Sequence, residues 1–220
     1  MIKVVNKKRK IEKIRSAYPN AFIFDVTSSS PDDEGRLLSP FYPHCHIPIP
    51  GDSREMTATC VEAIWQGLKV FEGADVDVEL FKNDTMKNIK RTFRRFGRPL
   101  GHRKGVNGTE LLGYIEARKL IYIPTYKWVL ENKVANIIER LRDANKTKTI
   151  VLLDYDTNAD VENAKKPLSH ASLIKAYVEG IYPYGETKSG VTMTQKPPTA
   201  KKRKKSKKGD NNTQLELFNE

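Results

Sequence analysis

The positive charge of this sequence lies at its two ends, and this distribution limits what the chain can fold into. Residues 1–15 contain seven Lys or Arg and one Glu, and residues 196–220 contain eight Lys or Arg and three acidic residues. The 180 residues between them are nearly neutral, at +1 out of a total of +12. A segment of this length supports one domain with a buried core. We therefore expect a domain over 21–184, preceded by a basic helix or arm at 1–20 and followed by a disordered, lysine-rich tail at 185–220.

The composition disfavours several classes of protein. No stretch approaches the roughly 18 uncharged apolar residues of a membrane helix, and no apolar segment of a secretory signal follows the basic N-terminus. We therefore expect a cytoplasmic protein without a membrane partner. The two cysteines, Cys45 and Cys60, are too few for a disulfide framework and are expected to be free thiols. The sequence has no Walker A motif, Rossmann fingerprint or nucleophile elbow, which disfavours NTPases, dehydrogenases and serine hydrolases.

Hydrophobic periodicity predicts an α+β domain that is mostly helical around a small sheet. Val61, Ile64 and Leu68 recur at helical spacing and predict a helix over 57–71. Four prolines make 38–53 irregular chain. The other predicted elements, in chain order, are a basic helix over 5–17, a buried strand over 21–26, a helix from 83 or 84 to 96, a helix from 109, a kink or new helix at Pro124, a strand over 149–153, and a helix from Ser169 to 180.

A cluster of basic residues lies within the otherwise neutral middle of the chain. Residues 87–104 include eight Lys or Arg and no acidic residue. Such a cluster is a candidate phosphate-binding surface. Its members are Lys87, Lys90, Arg91, Arg94, Arg95, Arg98, Arg103 and Lys104.

One segment has the residue types of a zinc site. His44, Cys45 and His46 are consecutive, and Cys60 follows later. Consecutive ligands rarely converge on one metal without a second Cys or His pair. We therefore predict neither a metal site nor a cofactor.

An apolar motif ends the lysine-rich tail. Gln214, Leu215, Leu217 and Phe218 resemble the bacterial sliding-clamp-binding peptide, in which the glutamine forms hydrogen bonds and the apolar side chains fill pockets. Exposed apolar side chains of this kind require a partner. The resemblance implies a bacterial or phage sliding clamp and a location near the nucleoid of a bacterial or phage-infected cell; the alternatives are docking on the chain's own domain or on another partner. The preceding run is expected to bind DNA through Lys201, Lys202, Arg203, Lys204 and Lys205.

Three motifs of the folded part resemble the NADAR (NAD and ADP-ribose associated) superfamily. They are Leu-Ser-Pro-Phe-Tyr-Pro at 38–43, Val-Glu-Ala-Ile-Trp-Gln-Gly-Leu-Lys at 61–69, and Gly-Arg at 97–98, in that order. The superfamily includes N-glycosidases acting on riboflavin-pathway intermediates and enzymes that remove ADP-ribose from guanine in DNA. The resemblance covers about residues 36–180. It implies a NADAR-like fold and a nucleotide or ADP-ribose-type ligand.

The same resemblance implies a set of site residues. Glu62 matches the catalytic glutamate, with Gln66 and Lys69 as its companions on one helix face. The family's late acidic motif falls at 154–160, and because the usual Trp-Gly is missing here, Asp154, Asp156 and Asp160 all remain candidates for a second carboxylate. Cleavage of a ribose N-glycosidic bond builds positive charge on the sugar, which one carboxylate stabilises while another activates water. Base stacking and phosphate binding are assigned to Phe41, Tyr42, Trp65 and Arg98.

Structural alternatives exist for these residues. Glu62 has the spacing of an exposed helix residue paired with Gln66 or Lys69. Trp65 has the spacing of a core residue. Asp156 and Asn158 are typical turn residues.

We therefore predict an N-glycosidase-like enzyme, phage-encoded, that acts on a nucleotide or ADP-ribose adduct or on modified DNA bases and is recruited to replicating DNA by the clamp. The alternative is a non-catalytic DNA-replication accessory protein that binds the sliding clamp and DNA. The missing Trp-Gly supports this second interpretation.

Overall fold

Within residues 1–51 and 56–183, which the computed structural model describes, the strands form a three-stranded parallel sheet, a two-stranded antiparallel sheet and a three-stranded antiparallel sheet. The expectation of a domain that mixes helix and sheet is confirmed. The strands are β1 (Ile2–Asn6), β2 (Phe22–Asp25), β3 (Ile47–Pro48), β4 (Thr57–Ala58), β5 (Lys69–Phe71), β6 (Pro99–Arg103), β7 (Leu111–Leu112) and β8 (Ile150–Asp154). The helices are α1 (Ile11–Ala17), α2 (Asp33–Leu37), α3 (Val61–Gly67), α4 (Phe93–Phe96), α5 (Tyr114–Ala117), α6 (Ile123–Asn132), α7 (Ala135–Thr147) and α8 (His170–Val178). A 3-10 turn forms at Glu79–Lys82, and a π-helical turn, Arg118–Tyr122, joins α5 to α6.

The central strand of the parallel sheet comes from the end of the domain. β8 lies between β1 and β2 and pairs in parallel with both. All five of its residues are buried, which is typical of a strand covered on both faces. Because the carboxyl ends of parallel strands meet at one edge, Asn6, Asp25 and Asp154 lie together there. This is the edge where open parallel sheets usually bind ligands.

The N-terminal residues belong to the domain, which corrects the expectation of a separate basic arm over 1–20. β1 pairs with β8 along its whole length, and Ile2 and Val5 are buried. α1 begins at Ile11 rather than at residue 5, and its buried residue is Ile14. The β-branched residues of this segment favour a strand. The lysines around them obscured that signal in the sequence.

α3 is the helix that the apolar spacing predicts. Cys60 caps its first turn, because the Cys60 sulfur accepts a hydrogen bond from the Ala63 backbone N–H at 3.3 Å. Ile64 and Leu68 pack in the main hydrophobic core. Every residue of the helix is buried, including Glu62. The alternative that Glu62 is an exposed surface residue is therefore wrong, because both faces of α3 are covered.

The helix predicted from residue 83 or 84 to 96 is wrong over most of its length. Met86 and Asn88 have φ angles of +59° and +56°, the left-handed backbone that a right-handed helix excludes. The Asn83 side chain accepts a hydrogen bond from the Thr85 backbone N–H at 3.0 Å and shapes a turn instead. Only the short helix α4 forms, and it ends at Gly97, where φ is +80°.

The remaining predictions agree with the structure only in part. The helix predicted over 57–71 is shorter, because β4 and β5 occupy the two ends of that span, and β3 lies in the chain predicted to be irregular over 38–53. The two predicted strands are confirmed as β2 and β8, and α8 follows Ser169, whose hydroxyl accepts a hydrogen bond from the Ser172 N–H. β7 occupies residues that were expected to open a helix, which begins at Tyr114 instead. Pro124 lies in the first turn of α6, where its missing N–H is tolerated. None of the helices in the described residues is both long and apolar enough to cross a bilayer.

Candidate functional site

A cavity of about 220 Å³ opens at the carboxyl edge of the parallel sheet. One wall is α3, another is the helical segment around the π-helical turn, and the chain after β2 and after β8 completes it. Most of the side chains that the sequence assigned to catalysis or substrate binding line this cavity: Phe41, Glu62, Trp65, Gln66, Lys69, Asp154 and Asp156. The other lining residues are Thr27, Ser28, Ser39, Pro40, Lys90, Tyr114, Arg118, Tyr122, Tyr155, Pro167, Leu168 and His170.

Glu62 is held in place by a chain of hydrogen bonds. Its side chain lies in the first turn of α3, and only 8% of the residue is exposed. Gln66, one turn later, donates from Nε2 to Glu62 Oε1 at 2.8 Å. The Arg91 backbone N–H donates to Gln66 Oε1 at 3.2 Å, which fixes the orientation of the amide. The Glu62 carboxylate is therefore buried in the cavity wall in one defined orientation.

Lys69 brings a buried amine to the same wall. It follows α3 as the first residue of β5 and is 5% exposed. Burial lowers the pKa of Lys69 to about 8, against the opposing effect of Glu62, and the charges of Arg91 and Lys90 lower it further. The amine therefore exchanges protons near neutral pH, as a group suited to general acid–base catalysis does.

Aromatic side chains form a second wall of the cavity. The Trp65 ring lies 5.9 Å from the Tyr114 ring and 5.6 Å from the Tyr122 ring, both edge to face. Behind it, the His102 ring lies 3.9 Å away. Burial and the Lys69 charge hold the pKa of His102 well below its usual range, so the ring is neutral. Trp65 is therefore a buried core residue, as its spacing predicts, and it also lines the cavity.

Asp154 and His170 form a buried pair at the base of the cavity. Asp154 Oδ2 lies 3.1 Å from His170 Nδ1 and accepts a hydrogen bond from the Ser169 hydroxyl at 2.7 Å. His170 Nε2 donates to the Val26 carbonyl at 2.9 Å. Because a carbonyl and a carboxylate both accept, the protonated ring satisfies both contacts. Burial alone would raise the pKa of Asp154, but His170 and the other donors hold it at about 2.

The same pair raises the pKa of His170. Burial opposes the charged ring, but Asp154 and the Val26 carbonyl outweigh it. Asp154 is therefore an ionised, fully engaged group that joins β8 to the start of α8. It positions the cavity floor rather than offering a free base to a substrate.

The π-helical turn presents Arg118 to the cavity. Its guanidinium donates to the carbonyls of Val161 at 3.1 Å and Asn163 at 2.9 Å and to that of Lys166. It also donates to the Tyr114 hydroxyl at 2.9 Å and lies over that ring. Turns of this kind occur frequently at functional sites. Arg118 thereby holds the loop that follows Asp156 against the cavity.

Asp156 lines the cavity together with Asp154, whereas Asp160, the third aspartate that the sequence left open, does not. Asp156 is half-buried. Asp160 is exposed outside the cavity, where its side chain accepts a hydrogen bond from the Glu162 backbone N–H at 2.9 Å. Asn158 shapes the same turn, as its residue type indicates.

Two predicted substrate-binding residues lie outside the cavity. Arg98 is exposed and forms an ion pair with Glu72, Nε to Oε1, at 3.2 Å. Tyr42 is half-buried against the His44 ring at 4.8 Å. Tyr42 follows the cavity residue Phe41 in sequence, but it does not line the cavity itself.

The basic cluster at 87–104 is available for phosphate binding only in part, because some of its members are buried or paired with carboxylates. Arg91 is buried and donates to the carbonyls of Lys69 at 2.5 Å and Asp75 at 2.8 Å. Arg103 is paired with Asp75, and Lys104 is paired with Glu110. Lys90 is the member of this cluster that lines the cavity. Partners from elsewhere in the sequence thus neutralise much of the charge.

Some predicted sites lie outside the described residues. The DNA-binding run at 201–205 and the clamp-binding motif at 214–218 both fall there. Within the described residues, no group of three or more His, Cys, Asp or Glu side chains is arranged to hold a metal ion. His44 instead donates from Nε2 to the Leu37 carbonyl at 2.8 Å.

Sequence reasoning missed Tyr114, Arg118 and His170 as cavity residues. Tyr114 and Arg118 are four residues apart, the spacing of neighbours on one helix face, which was the available signal. His170 follows the N-cap Ser169, but its pairing with Asp154 depends on tertiary structure.

The described residues form a mixed α and β domain with a cavity at the carboxyl edge of a parallel sheet, and open parallel sheets usually bind ligands at this edge. The chain belongs to the family described as Family of unknown function (DUF6939), whose model matches residues 6–174. The match includes every cavity residue named above. Neither the curated proteins nor the solved structures contain a match.

Proposed function

We propose that this protein is an N-glycosidase-like enzyme with a NADAR-like domain, acting on an ADP-ribose adduct, another nucleotide, or a modified DNA base. The observation that carries the proposal is the position of Glu62. Its carboxylate is 8% exposed, lines the cavity and is oriented by Gln66. A fixed carboxylate in a water-poor site is the group that an oxocarbenium-like transition state requires.

The proposed reaction is hydrolysis of the bond between the anomeric carbon and the base nitrogen. As this bond breaks, its electrons leave with the base and positive charge develops on the sugar, where Glu62 stabilises it. A water oxygen then bonds to the anomeric carbon and gives up a proton, for which Asp156 is the acceptor. Lys69, whose pKa is about 8, donates a proton to the departing base at neutral pH.

The aromatic side chains of the cavity favour a substrate with a planar group. Trp65, Tyr114 and Tyr122 all line the cavity. Aromatic side chains stack on nucleobases regardless of base identity. At about 220 Å³ the cavity is smaller than the roughly 300–1,000 Å³ of sites for drug-sized ligands. It is therefore suited to one base and its sugar rather than to a whole dinucleotide.

Product analysis by chromatography and mass spectrometry tests this proposal. The substrates are oligonucleotides carrying ADP-ribosylated or otherwise modified bases, together with free nucleotides and ADP-ribose adducts. We expect Glu62→Gln to reduce turnover by about 10²- to 10³-fold, as loss of one transition-state stabiliser does. Glu139→Gln, on the exposed face of α7, is the matched control and should leave turnover unchanged. Absence of turnover by the wild type, or equal rates for wild type and Glu62→Gln, would remove the enzyme proposal.

Recruitment by a sliding clamp is the second part of the proposal, and the sequence of 214–218 supports it. Binding of the purified clamp to immobilised full-length chain tests it directly. We expect Gln214→Ala, and Leu217→Ala with Phe218→Ala, to abolish capture. Asn211→Ala with Asn212→Ala is the matched control in the same tail. Capture that survives the first two variants would exclude this motif as the clamp ligand.

A further inference from the structure

The turn between β1 and α1 is attached to the mouth of the cavity. The Lys7 backbone N–H donates to the Asp154 carbonyl at 2.8 Å. The Asn6 side chain donates to the carbonyl of Tyr155, which is a cavity-lining residue. Residues 7–10 therefore lie beside the segment that carries Asp154, Tyr155 and Asp156.

Within the described residues, Lys7 is held by an ion pair, whereas the three basic residues that follow it are not. Its ammonium lies 2.7 Å from Asp25 Oδ2 and donates to the Ser29 hydroxyl at 2.7 Å. By contrast, Lys8, Arg9 and Lys10 are exposed, and none of the ion pairs among the described residues includes them. Their three positive charges face solvent on the turn whose first residue, Lys7, is hydrogen-bonded to Asp154.

Tyr155 adds an exposed aromatic ring to this place. Although Tyr155 lines the cavity, 46% of the residue is exposed. Its hydroxyl lies 2.9 Å from the Ser29 hydroxyl, and Lys7 lies 5.5 Å from the ring centre, so the ring is held in position. An exposed ring on a segment that is hydrogen-bonded to a basic turn has the residue types with which proteins bind single-stranded nucleic acid.

We infer that Tyr155 and the turn Lys8-Arg9-Lys10 form a strand-binding shelf, which binds the sugar-phosphate chain next to the reacting nucleotide. The substrate is then an unpaired nucleotide within a DNA or RNA strand rather than a free nucleotide. This inference rests on the proposed function, because it concerns the part of the same substrate that lies next to the reacting nucleotide. The size of the cavity agrees with it, since everything beyond one nucleoside must lie outside the mouth.

The depth of the site favours an unpaired base. Glu62 and Gln66 are almost fully buried, so a base must leave its stack to reach them. Enzymes that act on bases either use single strands or flip the nucleotide out of a duplex. Stacking of the next base on Tyr155 would offset part of the free energy of unstacking.

The salt dependence of binding tests the shelf in the full-length chain. The probes are a 12-nucleotide single strand of DNA, the same sequence in RNA, the DNA duplex, and free ADP-ribose, with fluorescence anisotropy as the readout. If three phosphates are neutralised, changing Lys8, Arg9 and Lys10 together to Gln should lower the slope of log K against log salt by about 2 for a single strand. Tyr155→Ala should weaken single-strand binding by about 10-fold.

The matched control removes three positive charges from α7 instead. The three residues changed to Gln are Arg140, Arg142 and Lys146, which lie outside the cavity; Arg140 and Lys146 are exposed, and Arg142 is half-buried. Both triple variants keep the lysine-rich tail, so its contribution cancels in the comparison. We expect the control to change the slope by less than half as much. The DNA and RNA arms then show which strand is preferred.

The outcomes separate this inference from the proposed function. Equal slopes for the two triple variants, or a loss of duplex binding in the Lys8-Arg9-Lys10 variant as large as its loss of single-strand binding, would overturn the shelf even if Glu62 proves catalytic. A selective loss of single-strand binding in the Lys8-Arg9-Lys10 and Tyr155 variants supports the shelf even if no bond is cleaved. Turnover of free nucleotides that exceeds turnover of the same nucleotide within a strand would also overturn it.

Discussion

Replacement of Asp154 by Asn tests the buried pair that joins β8 to α8. Asn has nearly the same shape as Asp, but it removes the negative charge that His170 faces at 3.1 Å. The Asp154 pKa is about 2, against an ordinary value of 3.8. This gap corresponds to about 2 kcal/mol in the free energy of unfolding at pH values above 4.

The contribution has a defined pH window. Because the folded-state pKa of Asp154 is depressed, its stabilisation is complete above the unfolded value and is lost as the pH falls from about 4 towards 2. Because the pKa of His170 is raised, its stabilisation is complete below 6.5 and is lost as the pH rises through the folded value. The pair therefore stabilises the fold most between about pH 4.5 and 6.5.

Urea denaturation of wild type and Asp154→Asn, followed by tryptophan fluorescence from pH 2.5 to 8, measures this effect. We expect a difference of about 2 kcal/mol near pH 5.5 that shrinks at both ends of the range. Asp160→Asn is the matched control, because its side chain is exposed and Asn can also accept the Glu162 N–H; it should change stability by less than about 0.5 kcal/mol. A difference for Asp154→Asn that stays constant across the range would refute the ion-pair reasoning.

Three further predictions follow from packing and from the cavity. A methyl group at Gly67 would lie 2.2 Å from the Phe81 ring, so Gly67→Ala should destabilise the fold by about 1–3 kcal/mol in urea denaturation, and an unchanged midpoint would contradict this overpacking. Lys69→Met should abolish any decline in turnover that occurs as the pH rises through about 8, because the titrating ammonium is gone; an unaltered pH profile would exclude Lys69 as the acid. Arg118→Met should release the loop after Asp156 and increase its cleavage in limited proteolysis, and equal cleavage would show that the loop is held by other contacts.

Local sequence patterns predicted the elements whose periodicity is strong and whose ends carry caps. The spacing of Val61, Ile64 and Leu68 identified α3, and Ser169 marked the start of α8. The strand β8 was recognisable because a strand buried on both faces is continuously apolar. The helix prediction failed for the residues before α4, because left-handed residues such as Met86 interrupt the helical spacing of the apolar side chains.

The candidate site was predicted in part for a similar reason. Glu62, Gln66 and Lys69 lie close in sequence, so α3 and the start of β5 bring them to one wall of the cavity. Arg98 was assigned to phosphate binding on sequence position, but its pairing with Glu72 follows from the antiparallel contact of distant segments. His170 and its partner are 16 residues apart and meet only because α8 returns over the sheet edge.

The placement of β8 between β1 and β2 has a consequence for biosynthesis. Ile2 and Phe22 both pair with Ile150, so β1 and β2 cannot complete their sheet until β8, which is translated much later, has left the ribosome. Closing such long loops slows folding and leaves apolar strands without cover in the nascent chain. Truncation before residue 150 should therefore leave β1 and β2 unable to assemble and make the product a chaperone client.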